Sequence, residues 1–186
     1  TQPSAALQAN INSVQNVGCF GGTDGSLNIT VNGGTSPYTY NWSNGSTSQD
    51  INNLSSGSYT VTITDANGCT FIQAGTVSQP AAALSAGIGS VTNVLCYSGN
   101  NGSVQLTVNG GTAPYVYAWS NGATTQNISG VGAGTYSVNI TDANGCNTSA
   151  SVDVTEPNAQ LSLSLNSANS ILCFGGNNGG ISVNVT

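Results

Sequence analysis

Apolar and polar residues alternate along most of the chain, in short runs separated by turn sequences. Residues two apart lie on the same face of a β-strand, so this alternation predicts strands that each bury one face. No segment shows the spacing of an amphipathic helix. The apolar sets at the start of the chain are Leu7-Ala9-Ile11, Leu27-Ile29-Val31, Tyr38-Tyr40-Trp42 and Tyr59-Val61-Ile63, followed by a less regular segment over residues 71–77.

The whole pattern repeats every 77 residues, and prolines at 3, 80 and 157 mark the period. The first two copies are identical at 41 positions without a gap, which indicates that each copy folds in the same way. The predicted domains are a repeat at 3–79, a repeat at 80–156 and a partial, truncated repeat at 157–186.

Turn sequences within each copy indicate about seven short strands, as in a Greek-key β-sandwich. Asn44-Gly45 and Asn67-Gly68 favour hairpin turns, because both central residues of a type I′ turn have positive φ. The fold class is therefore predicted to be all-β, with tandem immunoglobulin-like sandwiches of 77 residues and one disulfide per repeat.

Aromatic residues support the immunoglobulin-like version of the sandwich. A tryptophan on the third strand and a tyrosine that follows a glycine turn, as in a tyrosine corner, are both typical of that fold. One departure is that the position of the usual inter-sheet cysteine holds Val61 or Val138. The predicted core aromatics are Trp42, Trp119, Tyr59 and Tyr136.

The charge composition excludes several classes of function. The chain has six acidic residues and no lysine, arginine or histidine, so it lacks the cations that bind nucleic acids or anionic lipid surfaces. It also lacks imidazole ligands and the usual general bases. No apolar run is long enough to span a membrane, and no signal peptide is visible, so we expect an interior piece of a longer protein.

Five cysteines follow the repeat, and within a full copy the two cysteines lie 50 residues apart. This spacing predicts structural disulfides within each repeat, and thus an oxidising, extracytoplasmic setting. An alternative pairs Cys69 with Cys96 across the linker. No Cys-x-x-Cys pair suggests zinc, and no cofactor is predicted. The predicted pairs are Cys19–Cys69 and Cys96–Cys146, with Cys173 left unpaired by truncation.

Other candidate sites have simpler structural interpretations. The glycine-rich loop after Cys19 lacks the lysine of a phosphate-binding loop, and we interpret it as a turn. The turns at Asp65 and Asp142 could offer oxygen ligands to calcium, but they lack the full ligand pattern. Asp24 and Asp50 become asparagine in the second copy, so the only acidic position that both copies share is that of Asp65 and Asp142, and the chain is not expected to be an enzyme.

Three motifs in order resemble the SprB repeat: Cys-Phe/Tyr-x-Gly-x-x-Gly-Ser, Asn-Gly-Gly-Thr-x-Pro-Tyr-x-Tyr-x-Trp-Ser-Asn-Gly, and Gly-x-Tyr-x-Val-x-Ile-Thr-Asp-Ala-Asn-Gly-Cys. The resemblance covers essentially the whole chain. It implies very large cell-surface adhesins of gliding Bacteroidetes, secreted by the type IX route. It implies surface attachment during gliding motility and no catalytic residues.

The expected function is therefore a structural segment of an extracellular filament, in which short Pro-marked linkers join the sandwiches into a semi-rigid rod. Neighbouring repeats of the same chain are the first expected partners. An alternative makes each repeat a carbohydrate-binding module that acts by avidity on surface polysaccharide, with Tyr38, Tyr40 and Trp42 as a stacking face. A third possibility is lateral self-association into a fibre through exposed strand edges.

Overall fold

A computed structural model describes residues 5–186, and the described residues form strands and turns without a helix. The first repeat contains β1 (Gln8–Gln15), β2 (Gly25–Asn32), β3 (Thr39–Trp42), β4 (Ile51–Leu54), β5 (Gly57–Thr64) and β6 (Thr70–Val77). The second contains β7 (Ser85–Thr92), β8 (Gly102–Asn109), β9 (Val116–Trp119), β10 (Ile128–Val131), β11 (Gly134–Thr141) and β12 (Asn147–Val154). The partial repeat contains β13 (Leu163–Asn169) and β14 (Gly180–Val185).

Each full repeat has two three-stranded sheets, in the orders β1-β2-β4 and β3-β5-β6 in the first repeat, where all pairs are antiparallel, and in the equivalent orders in the second. These orders match strands A-B-E and C-F-G of an immunoglobulin sandwich. The prediction of an all-β, immunoglobulin-like fold is confirmed. The expected strand number is corrected from about seven to six, because no strand forms between β3 and β4.

The core of the first repeat lies between its two sheets. Alternation along β2 and β5 buries Leu27, Ile29, Val61 and Ile63 almost completely, and Trp42 from β3 packs among them. The second repeat buries the equivalent side chains Val104, Leu106, Val138, Ile140 and Trp119. The side chains of β13 and β14, in contrast, are exposed.

The chain divides into two compact units that do not coincide with the sequence repeats. The first unit contains residues up to Gly87 together with Thr107–Ala118 and Asn139–Ser149. The second contains Ile88–Leu106, Trp119–Val138 and Ala150–Thr186. The first unit therefore includes the junction between the first two repeats, and the repeat boundaries themselves stay a prediction.

Candidate functional site: the joint between repeats

A disulfide joins Cys19 of the first repeat to Cys146 of the second, within the first compact unit. The Sγ atoms are 2.01 Å apart, the Cα atoms are 5.8 Å apart, and the bond closes a sequence separation of 127 residues. Cys69, Cys96 and Cys173 carry free, exposed thiols. This is the only disulfide among the described residues, and it connects two repeats instead of closing one.

The predicted pairs Cys19–Cys69 and Cys96–Cys146 are therefore wrong in this structure, as is the alternative Cys69–Cys96. The physical reason is the strand path. Cys19 precedes β2, whose first residue Gly25 lies beside Leu54 and Val77 at one end of the sandwich. Gly57, the first residue of β5, pairs with Val77 at that same end.

Cys69 follows the last residue of β5 and therefore lies at the opposite end of the sandwich. The eight residues of β5 span about 25 Å, whereas disulfide-bonded Cα atoms lie about 4.4–6.8 Å apart. In the second repeat, β11 separates the two cysteines in the same way, because Cys96 precedes β8 and Cys146 follows β11. Only cysteines at facing ends of successive repeats are close enough to bond.

The loop that holds Cys19 is fixed by hydrogen bonds at several points. Gly22 N–H donates to the Cys19 carbonyl at 2.9 Å, and Gly18 N–H donates to the Asp24 carboxylate at 3.1 Å. Gly21 has a φ of 77°, and its N–H donates to Gln79 Oε1 at 2.8 Å. The glycine-rich loop thus acts as the predicted turn, and its acidic residue serves as a backbone acceptor.

The turn that holds Cys146 is organised by the buried carboxylate of Asp142. Asp142 Oδ1 accepts the N–H groups of Asn144 and Cys146, both at 2.9 Å, and Oδ2 accepts that of Thr112 at 2.8 Å. Burial raises the pKa of this carboxyl, but the backbone hydrogen bonds outweigh burial and the net pKa lies below its usual range. Both oxygens are used to hold the turn, as they are at Asp65.

A hydrogen bond, in addition to the disulfide, joins the Cys19 loop of the first repeat to the Cys146 turn of the second. Asn144 Nδ2 donates to the Gly18 carbonyl of the first repeat at 2.8 Å and also to Thr112 Oγ1 at 3.1 Å. The Asp-Ala-Asn-Gly-Cys turn therefore supplies both the cysteine that bonds to Cys19 and the side-chain amide that donates to the Cys19 loop.

The linker is bound on both sides of the joint. On the first repeat, Ser78 N–H donates to Asn16 Oδ1, and the Ser78 carbonyl accepts Val17 N–H, both at 2.9 Å. On the second repeat, Gly111 N–H donates to the Ala82 carbonyl at 3.0 Å. Only residues 79–81 lie between these attachments, and the Gln79 side chain is itself bound to the Cys19 loop.

The predicted core aromatics occupy two environments. Trp42 and Trp119 are buried, and their Nε1–H groups donate to the carbonyls of Ser48 and Thr125, each at 2.9 Å. Tyr59 and Tyr136 are partly buried, and each hydroxyl donates to a carbonyl four residues earlier, at 2.9 Å and 3.1 Å. This is the hydrogen bond of a tyrosine corner.

The tyrosines of the suggested sugar-stacking face are only partly available. Tyr38 and Tyr40 pack against the core, and the Tyr38 hydroxyl donates to the Gly33 carbonyl at 2.7 Å. The aromatic residues that are most exposed lie elsewhere, directly after the first cysteine of each copy: Phe20, Tyr97 and Phe174.

Residues 5–186 hold no cluster of three or more histidine, cysteine or acidic side chains arranged to bind a metal ion. Within the same range, no helix is long and apolar enough to cross a membrane. The functional residues that sequence reasoning missed are the polar side chains at the joint: Asn16, Gln79 and Asn144. The equivalent residues of the other copy are also polar, and this was the sequence signal that could have found them: Asn93, Glu156 and Asn67.

Comparisons with known proteins give one family match and several structural matches. The family model described as SprB repeat matches residues 11–47 and 88–124. No curated protein matches the chain. Among solved structures, three N-terminal domains of the bacteriophage RB49 Highly Immunogenic Outer Capsid protein (Hoc) are 19% identical, with a TM-score of 0.47 over 97% of this chain and 69% of that one. A tetra-tandem repeat in the extending region of a large adhesion protein is 16% identical, with a TM-score of 0.32 over 97% and 62%.

Proposed function

Because the SprB repeat model matches two regions of the chain, we propose that the chain is a structural segment of a large, repetitive extracellular adhesin displayed on a cell surface. In this role the segment transmits force between a cell and the point of attachment and catalyses no reaction. Gliding over a substratum is the motility that the family suggests, and the type IX route is the suggested mode of export.

The observation that carries this proposal is the joint. A covalent bond, an interdomain hydrogen bond from Asn144 and a linker held on both sides restrict rotation between consecutive repeats. A flexible tether would need none of these contacts. Stiff joints favour a semi-rigid rod that holds an adhesive region away from the cell.

The composition suits the same location. A disulfide persists in oxidising surroundings outside the cytoplasm. With no lysine or arginine, the chain offers no site to trypsin-like proteases and contains no ion pairs that salt could screen. Neighbouring repeats of the same chain are the partners proposed here.

The carbohydrate-binding alternative receives less support, because Tyr38 and Tyr40 pack against the core instead of forming an open platform. Glycan-array binding by the isolated chain distinguishes the two functions. A structural segment should give no saturable binding, whereas a binding module should bind one class of polysaccharide.

The proposed function is tested in cells that make the protein. Antibodies raised against residues 5–186 should label intact, unpermeabilised cells, and in-frame deletion of the segment should reduce attachment to glass under flow. The control is the deletion strain after the segment has been put back in its original place in the gene. Labelling that needs permeabilised cells would refute surface display, and normal attachment after deletion would refute the structural role.

A further inference from the structure

The free thiol of Cys96 occupies the position in the second repeat that the bonded Cys19 occupies in the first. Both cysteines begin a tight turn, with Gly99 N–H donating to the Cys96 carbonyl at 2.9 Å, as Gly22 N–H does to Cys19. The loops are anchored alike, since Val94 N–H donates to the Thr155 carbonyl and Ser98 N–H to the Glu156 carboxylate. The Cys96 loop is therefore built before any partner reaches it.

A cavity lies beside each of the two loops. At the first joint, an open cavity of about 250 Å³ is lined by Cys19, Phe20, Ala83, Leu84, Cys146 and Asn147. At the equivalent place in the second compact unit, a cavity of about 550 Å³ is lined by residues that include Cys96, Tyr97, Gln160 and Leu161. Gln160 and Leu161 correspond to Ala83 and Leu84, so the two cavities lie at equivalent places in successive repeats.

The surroundings of the larger cavity are apolar and open. Leu95, Tyr97 and Leu161 are exposed by 73%, 48% and 78%. Exposed apolar side chains of this size at one place mark a contact surface. The first joint identifies the occupant, because the Asp-Ala-Asn-Gly-Cys turn of the next repeat fills the same position there.

The complementary half of such a contact is present at Cys69. Cys69 N–H donates to Asp65 Oδ1 at 2.8 Å, so this turn has the same shape as the turn at Cys146. Asn67 Nδ2 donates to Thr35 Oγ1 at 2.8 Å, as Asn144 Nδ2 does to Thr112. An amide group has two N–H donors, and at Asn144 the same Nδ2 atom also reaches the Gly18 carbonyl.

We propose that Cys96 and Cys69 are half-sites of further disulfides between repeats. Cys96 bonds the second cysteine of a following repeat, and Cys69 bonds the first cysteine of a preceding repeat. Each joint of the array then carries one disulfide of the Cys19–Cys146 type. Because each bond encloses more than one repeat length, the covalent loops of successive joints overlap along the sequence. The proposal needs only tandem repeats and does not depend on adhesion.

The bond forms by thiol–disulfide exchange. A disulfide-bearing oxidant, such as an extracytoplasmic thiol oxidoreductase or oxidised glutathione, accepts two electrons and two protons from the two thiols. One S–S bond forms between the repeats, the oxidant's S–S bond breaks, and two thiols are released. Reduction by a dithiol reverses the step.

The test lengthens the chain and leaves its own residues unchanged. A copy of residues 110–156 is fused after Thr186, which completes the third repeat, with Ser149→Thr in the copy to give its cysteine peptide a distinct mass. The protein is refolded with oxidised and reduced glutathione, alkylated, and digested with pepsin at acid pH, where thiolate exchange is suppressed.

The expected product links Cys96 to the added copy of Cys146 and leaves Cys69 and Cys173 alkylated. Cys96 should be fully alkylated in the original chain and no longer alkylated in the lengthened one. The Cys19–Cys146 link in the same sample is the folding control. Alkylated Cys96 beside an intact Cys19–Cys146 bond would overturn the proposal, as would a bond from Cys96 to Cys69 or to its own repeat's Cys146.

A mirrored protein tests the other half-site. A copy of residues 80–156 replaces residues 1–2, which keeps the 77-residue register ahead of Pro3, with Ser103→Thr in the copy to give its Cys96 peptide a distinct mass. Cys69 should then bond the preceding copy of Cys96, and Cys69→Ser should leave that copy alkylated with the Cys19–Cys146 bond intact. If Cys69 stays alkylated while Cys19–Cys146 forms, its assignment as a half-site is wrong.

Discussion

Hydrogen bonds explain why Asp50 becomes asparagine in the second copy, whereas the aspartate at 65 and 142 is the same in both copies. Asp50 accepts one backbone N–H, from Ile29 at 2.9 Å, and Asn127 accepts the equivalent N–H of Leu106 at the same distance. One carbonyl oxygen is enough for that contact, so aspartate and asparagine are interchangeable there. Asp142 uses both oxygens, and an amide offers only one acceptor.

The first prediction concerns the number of backbone N–H groups that the side chains at positions 142 and 50 accept. Asp142→Asn should lower the melting temperature by about 5 °C, because the amide nitrogen cannot accept a backbone N–H and one donor is left unpaired in a buried turn. Asp50→Asn is the matched control and should change it by less than about 1 °C. Thermal unfolding followed by circular dichroism measures both, and equal effects would contradict the assigned roles.

The pH dependence of stability follows from the same carboxylates. The hydrogen bonds from backbone N–H groups outweigh burial and place the pKa values of Asp65 and Asp142 below the usual range, so their stabilisation is complete above the unfolded value of about 3.9. It is lost as the pH falls through the folded pKa values.

Urea unfolding at successive pH values checks this dependence. We expect a stability that changes little between about pH 5 and 8, where the chain has no histidine to titrate, and that falls below about pH 4. Asp142→Asn should make the acid decline shallower. An unchanged decline in the variant would contradict the contribution of Asp142.

At the scale of elements, the loop after β8 supports the start of the second repeat. Gly110 has a φ of 68°, and a Cβ added there would lie 2.0 Å from the Ala83 carbonyl oxygen. Gly122 has a φ of 84°, and a Cβ added there would meet nothing within 4 Å. The two glycines thus share a left-handed conformation but differ in crowding.

Alanine at these two positions separates the two effects. Gly122→Ala should cost about 1 kcal/mol of unfolding free energy from the left-handed conformation alone. Gly110→Ala should cost at least about 2 kcal/mol more, because the backbone of the linker must move. Urea denaturation measures both costs. Equal losses would show that the linker does not pack on this loop.

The sequence predicted the long strands well because their alternation reflects one buried face. It did not predict β4, since Ile51-Asn52-Asn53-Leu54 is short and its two buried ends enclose exposed asparagines. Asn53 has a φ of 55°, which interrupts the regular pairing and hides the alternation. The number of strands was overestimated because turn spacing alone does not show which connections lack a strand.

For the whole molecule, the disulfide pairing was predicted wrongly although a relevant signal was available. Between Cys19 and Cys69 the chain crosses the sandwich three times. It runs up along β2, back along the short strands β3 and β4, which together make one crossing, and up along β5. An odd number of crossings places the two cysteines at opposite ends. The joint itself depends on how consecutive repeats dock, which the pattern within one repeat does not reveal.

Mechanical extension of the molecule should depend on this bond. Pulling on the two ends of the oxidised chain cannot extend the residues enclosed by Cys19–Cys146. Reduction should release about 430 Å of additional contour length, because 127 residues extend by about 3.4 Å each. The two bonds Cys19–Cys69 and Cys96–Cys146 would instead release about 170 Å each, or about 340 Å together. Single-molecule force measurements with and without a reductant distinguish the two lengths.

The most direct test of the joint is a map of the disulfide in the chain itself. The refolded protein is alkylated, digested with pepsin at acid pH without reduction, and its linked peptides are identified by mass spectrometry. We expect one linked pair, Cys19 with Cys146, and alkylated Cys69, Cys96 and Cys173. A peptide that links Cys19 to Cys69 would contradict the covalent joint between repeats.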